Sequence, residues 1–236
     1  MSEANKRLSN KGWTVVLAGL GINLTLGIIY AYSIFKEAIV ASIEAHDGCF
    51  TWDLTNLNDP YAVCCLMDAF AMFIGGRLQD KLGPRITAVI GGILVGLGLM
   101  LVSFSYSLVT WVLGFGILVG TGIGFVCASC IPSALKWFPP SKTGMITGIV
   151  VAGFGLAPIY IAPLSKFLIG TYGISTSMMI FGAGNLLVVC LLAQFLVNPI
   201  TFLHQPLHSL HLNKGFVFVA VSSEIWRRYI VNKDMI

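Results

Sequence analysis

Six apolar runs, most of them long enough to cross a membrane, set the first limit on how this chain can fold: residues 13–35, 60–76, 86–106, 108–135, 143–164 and 174–197. A helix needs about 20 mostly apolar residues to cross the hydrocarbon core. The expected fold is therefore all-α and transmembrane. It comprises a short N-terminus (1–12), a six-helix bundle (13–197) and a poorly ordered tail (198–236). Composition agrees, because only 10% of the 236 residues are charged and 56% are hydrophobic, against roughly 25% charged in a soluble domain. The polar opening "MSEANKRLSNKGW" leads into a run too long for a signal-peptide core, and no small-residue cleavage site follows it, so the first span should be retained.

An even number of spans puts both ends of the chain on one side, and the distribution of Lys and Arg says which. With a cytoplasmic N-terminus, the inner segments hold Lys6, Arg7, Lys11, Arg77, Lys81, Arg85, Lys136 and Lys142, against Lys36 and Lys166 outside. Eight against two predicts a multi-pass protein of the cell membrane with its N-terminus and tail in the cytoplasm. The loop over 36–59 is then external and carries Glu37, Glu44, Asp47, Asp53 and Asp59. The net charge of +4 is spread over short loops with no long basic run, so nucleic acid is excluded as a partner. Five of the six cysteines (64, 65, 127, 130 and 190) fall in apolar runs, where a reduced thiol packs as a small hydrophobe; Cys49 alone lies in a loop. The pair Cys127 and Cys130 is read as packing, and no metal or cofactor is expected. His204, His208 and His211 lie in the tail at near-helical spacing, which is suggestive only.

Gly116, Gly120 and Gly124 recur every fourth residue, as do Gly92 with Gly96 and Gly144 with Gly148. Such stripes let membrane helices approach closely. Between the second and third runs stands "GRLQDKLGPR" (76–85), a cytoplasmic turn in this orientation. It resembles the signature of the major facilitator superfamily at Gly76, Asp80, Lys81, Gly83 and Arg85, with Pro84 where a basic residue is common. In that superfamily the acid and its basic neighbours help hold the cytoplasmic side shut.

A narrower resemblance covers most of residues 10–199. "GIIYAYSIF" (27–35), "KWFPPSKTGMITGIVVAGFGLAPIYIAPL" (136–164) and "NP" (198–199) are similar to the oxalate/formate antiporter family, including its lactate-transporter-like members. The resemblance implies a secondary transporter of small organic anions that works by alternating access and needs no ATP. It also implies that Tyr30, Phe125 and Phe154, aromatic residues on the cavity-lining spans, surround the substrate carboxylate; ordinary packing is the alternative for each. Asp68, eight residues from both ends of its run, is the charged residue near mid-span. An acid there suggests a coupled proton or an ion pair; a neutral carboxyl hydrogen-bonded within the bundle is the alternative.

Members of that family have twelve spans, and the sequence after Pro199 no longer resembles them. The chain is thus expected to be a truncated or frameshifted half, or a half-transporter that pairs with a second chain. The resemblance places the basic residues that neutralise substrate, and the helix against which Asp80 locks, in the second half. A non-transporting membrane interaction protein is the other functional reading. No nucleophile with a base appears in any span, which argues against an enzyme.

Overall fold

The computed structural model describes residues 3–45, 50 and 52–199, apart from the side chains of 3–9 and 54. All regular structure among them is helical. The first rod joins α1 (Glu3–Leu26), a 3-10 segment (Gly27–Ala31) and α2 (Tyr32–Glu44). Then come α3 (Asp59–Leu82) and α4 (Pro84–Ser103). The next rod joins α5 (Leu108–Trp111), a π-helical stretch (Val112–Val119) and α6 (Gly120–Leu135), and α7 (Thr143–Ala193) ends the series. The expected tail (198–236) lies almost wholly outside the described residues.

Among the described residues five helical stretches are long and apolar enough to cross a membrane, one fewer than the six runs of the sequence. The difference lies in α7, whose 51 residues would extend about 77 Å if straight. They are not straight, because Gly173 has φ 79 and ψ 172, outside helical geometry. Contacts on either side show what the break does. Along the first leg, α7 climbs in step with α1: a methyl group added at Gly19 would lie 3.3 Å from Val150, and one at Gly27 would lie 2.1 Å from the Ala157 Cβ. Along the second leg the order reverses, since Gly21 faces Leu192 while the Asn185 amide reaches the Thr25 carbonyl. Against α4 the same reversal pairs Gly92 with Val189 and Gly96 with Gly182. The Ser175 hydroxyl, just after the break, donates to the Ser103 carbonyl at the end of α4.

Other boundaries follow from local chemistry. Asp59 and Pro60 open α3, an acid and a proline in the first turn where unsatisfied N–H groups favour both. Gly83, at φ 87, ends α3 and is followed by Pro84 at the first position of α4, so one left-handed residue makes the whole turn. The stretch expected to be a loop is therefore mostly helix: residues 76–82 belong to α3. Its charges sit on the last turns of a helix that continues beyond its apolar run.

Glycines set the closest helix contacts. Added methyl groups at Gly116, Gly120 and Gly124 would lie 2.9 Å from Val63, 2.5 Å from the Cys64 carbonyl oxygen and 2.5 Å from the Asp68 carbonyl oxygen, all on α3. Gly91 and Gly122 face each other in the same way across α4 and α6. Gly144 and Gly148 depart from the expectation, with no neighbour within 4 Å. Their spacing matches the others, but they lie on the exposed side of the first leg of α7.

At one end of the bundle Phe50, Trp52, Tyr106 and Trp111 pack edge to face, with ring centroids 4.9–6.1 Å apart. Trp52 Nε1 donates to the Tyr106 carbonyl at 2.6 Å and Trp111 Nε1 to the Ser105 carbonyl at 3.2 Å, so the buried indoles are satisfied. Trp111, 1% exposed, is the centre of this cluster. Replacing it with Ala should destabilise the bundle by about 3–5 kcal/mol, read as a lower midpoint of unfolding in mixed micelles.

Candidate functional site

Three places hold the residues that the sequence singles out. The first lies where the first rod crosses α7. Tyr30, in the 3-10 segment, meets Phe154 edge to face at a centroid distance of 6.3 Å. Both helices are irregular at this level: α1 gives way to the 3-10 segment, and α7 contains Pro158, which has no N–H to offer the Phe154 carbonyl four residues before it. Tyr30 is 56% exposed, so over half of its side chain is open and not packed in the bundle. The next tyrosine turns the other way. Tyr32 is buried against Tyr61 and Phe115, and its hydroxyl donates to the Leu57 carbonyl at 2.7 Å. Two tyrosines two residues apart in the first rod thus have opposite surroundings, one packed in the core and one largely exposed.

Phe125 stands apart from this pair. It packs on α3 and α4, where methyl groups added at Gly75 and Gly91 would lie 3.1 Å and 3.2 Å from it. No ring contact joins it to Tyr30 or Phe154 among the described residues.

Asp68 is the second place. It is half-buried on α3, with Gly124 of α6 against its carbonyl oxygen. One carboxyl oxygen, Oδ1, is buried and has no hydrogen-bond partner, and no basic side chain pairs with it among the described residues. The ion pair that the sequence allows is therefore not made within this part of the chain.

The third place is the Gly76 to Arg85 motif. A methyl group added at Gly76 would meet nothing within 4 Å, so no other helix packs closely there. Asp80 and Lys81 are exposed at the end of α3, and Asp80 has no ion-pair partner among the described residues. Gly83 supplies the left-handed turn, with its N–H on the Gln79 carbonyl at 2.9 Å and its own carbonyl accepting from the Thr87 hydroxyl at 3.0 Å. Arg85 does something its motif does not announce: Nη2 donates to the Gln194 carbonyl at 2.7 Å, where the C-terminal end of α7 leaves carbonyls unsatisfied. Beside it, Trp137 Nε1 donates to the Val197 carbonyl at 2.7 Å, and Phe138 packs edge to face on Trp13 at 5.5 Å. The Trp-Phe-Pro sequence thus ties α1, α6 and the end of α7 together. Replacing Trp137 with Phe should keep the packing, lose one bond and destabilise this end by about 1 kcal/mol, measured by thermal unfolding.

Several polar side chains inside apolar runs escaped the sequence reading. Asn23 Nδ2 donates to the Val150 carbonyl at 2.8 Å, Asn185 Nδ2 to the Thr25 carbonyl at 3.4 Å, and the Tyr160 hydroxyl to the Leu24 carbonyl at 3.0 Å. All three join α1 to α7. Their signal was only a lone polar group in an apolar context, and their partners are backbone atoms 127–160 residues away.

A family model described as Major Facilitator Superfamily matches residues 11–231. The chain belongs to the major facilitator superfamily. The matched range runs past Pro199, into the tail that the sequence reading sets apart from the family. Among curated relatives, the oxalate:formate antiporter of Oxalobacter formigenes is 25% identical over 186 residues, 79% of this chain and 42% of its own length. Monocarboxylate transporter 2 of Homo sapiens is 30% identical over 193 residues, 80% of this chain and 38% of its own. An uncharacterized MFS-type transporter of Escherichia coli (strain K12) is 27% identical over 177 residues, 75% of this chain and 42% of its own. The chain therefore spans less than half the length of these relatives. Major facilitator relatives with these names are transporters, not enzymes.

Proposed function

We propose that this chain forms the N-terminal half of a secondary transporter for small organic anions of the oxalate, formate and lactate kind, working by alternating access. On this reading α7 crosses the membrane twice, its two legs making six crossings in all, and the N-terminus lies in the cytoplasm of a cell-membrane protein. The observation that carries the proposal is the Tyr30 and Phe154 pair at the level where two helices are both irregular. Interrupted helices near mid-membrane are where transporters place their substrates. A tyrosine hydroxyl can donate to a carboxylate, and the positive edge of an aromatic ring suits an anion. Phe125 is proposed to shape the α6 wall of the cavity through its packing on Gly75 and Gly91, without touching the other two rings. Asp68 is proposed to carry the coupled proton, because an acid would repel an anionic substrate in direct contact. Gly76, Asp80, Lys81, Gly83 and Arg85 are proposed to form the cytoplasmic gate, with Asp80 closing on a helix of the second half that the family resemblance implies.

Proteoliposomes holding the purified chain test this with labelled formate, oxalate and lactate under a pH gradient. Saturable uptake of at least one of them would establish that this half transports without the second. Tyr30→Ala should reduce it about tenfold or more, the loss of one charge-assisted hydrogen bond. Absence of uptake for all three would refute transport by this polypeptide alone.

One observation favours a second reading, a half that works only with a partner chain. The first leg of α7 leaves Gly144, Gly148, Ala152 and Gly155 exposed along one side, and α3 exposes Leu66, Phe70 and Phe73. Crosslinking in membranes that yields only monomer would sink it.

A further inference from the structure

The first rod changes its hydrogen-bonding pattern partway along. α-Helical bonding ends at Leu26, i→i+3 bonding runs through Gly27–Ala31, and α2 resumes at Tyr32. Where an α-helix tightens into a 3-10 turn, N–H groups reach three residues back instead of four. The Leu24 carbonyl then loses the N–H group of Ile28 as its partner, while the Thr25 carbonyl exchanges the N–H of Ile29 for that of Ile28, and an unsatisfied carbonyl is costly in hydrocarbon. These are the two carbonyls that receive side-chain donors from α7. The Tyr160 hydroxyl reaches Leu24 from the first leg at 3.0 Å, and Asn185 Nδ2 reaches Thr25 from the second leg at 3.4 Å. The Thr25 hydroxyl also turns back to the Gly21 carbonyl at 2.9 Å, a bond that bends helices. At the crossing itself Gly27 presents no side chain, and a methyl group there would lie 2.1 Å from the Ala157 Cβ, so the backbone rests directly on α7.

We propose that the first rod is a two-state helix, and that Tyr160 and Asn185 are positioning residues that hold its 3-10 state, Tyr160 by replacing the donor that the backbone withdraws from Leu24 and Asn185 by adding a second donor at Thr25. The functional part of this inference rests on the proposed role of Tyr30 in the substrate site. In the second state Ile28 and Ile29 return their N–H groups to Leu24 and Thr25, the rod becomes a continuous α-helix, and Tyr160 and Asn185 are released. Five residues passing from about 3.0 to about 3.6 per turn rotate the outer half of the rod by roughly 100° and shorten it by about 2.5 Å. Tyr30, fourth in the segment, turns away from Phe154 by most of that angle. The loss of these side-chain donors in favour of backbone ones thus moves the hydroxyl proposed to meet the substrate.

Hydrogen–deuterium exchange of the purified chain in lipid nanodiscs reads this change without any substrate, so its failure is distinct from a failure of the transport reading. Tyr160→Phe combined with Asn185→Leu should slow amide exchange over residues 27–31 by about tenfold, because the segment moves into better-formed α bonds. Tyr160→Phe alone keeps the ring and its packing, and should shift exchange in the same direction to a smaller extent, which decides the matter if the double variant does not fold. Side chains that merely brace the segment would have the opposite effect, since their removal would loosen it. Faster or unchanged exchange over residues 27–31, with residues 84–103 as reference, overturns the proposal.

Discussion

Gly120→Val is expected to abolish folding of the bundle. A Cβ at this position would lie 2.5 Å from the Cys64 carbonyl oxygen and 3.0 Å from the Cys64 Cα. Both are backbone atoms of α3, so no flexible side chain can yield. Relief requires α3 and α6 to separate, which also pulls Gly116 from Val63 and Gly124 from Asp68 along the same stripe. Overpacking at one site costs about 1–3 kcal/mol, and strain shared along three close contacts should reach the upper end of that range or beyond. The measurement is the yield of monodisperse protein and its midpoint of thermal unfolding. Gly144→Val is the control: a Cβ there would meet no atom of another segment within 4 Å, and the variant should melt like the parent. A Gly120→Val variant that also melts like the parent would show that the stripe does not hold α3 to α6.

Asp68→Leu should move stability and activity in opposite directions. The carboxyl carries a buried oxygen with no partner, so its removal relieves an uncompensated polar group and should stabilise the fold by about 1–3 kcal/mol. If the same group carries the coupled proton, uptake driven by a pH gradient should fall to background. Asp68→Asn keeps the shape and removes the proton site, and should abolish gradient-driven uptake with a smaller change in stability. A loss of stability in Asp68→Leu would reveal a bracing role that the unpartnered oxygen does not suggest, and full uptake in Asp68→Asn would end its assignment to coupling.

How much of this was legible depended on the range of the physics involved. Apolar runs report burial in hydrocarbon directly, so the helices were found, and the interval between the runs 143–164 and 174–197 brackets the break at Gly173. Their ends were less legible. The first rod continues from Phe35 through Lys36 and Glu37 to Glu44, and α3 from Gly76 to Leu82, because a helix ends where its backbone meets a glycine or a turn, not where hydropathy changes. Glycine spacing identified stripes without saying what they face: Gly116, Gly120 and Gly124 meet α3, while Gly144 and Gly148, spaced alike, meet nothing within 4 Å. Period alone records a side of a helix and not its neighbour. Tyr30, Phe125 and Phe154 were singled out together through the family resemblance, and the structure brings only the first and last of them into contact. Tyr160 and Asn185 were not, because the carbonyls they satisfy are distant in sequence and any residue type could supply a carbonyl.

The π-helical stretch Val112–Val119 has a consequence for angular phase. Each turn of i→i+5 bonding holds about one residue more than an α turn, so over eight residues the rod lags an ordinary helix by roughly a third to a half of a turn. Trp111 at its start points into the aromatic cluster, and Gly120 at its end points at α3. The lag is what lets one rod aim both ends correctly. Deleting one residue within Val112–Val119 would therefore act as a wrench, turning the indole out of its cluster or the glycines off α3, although neither end had been altered.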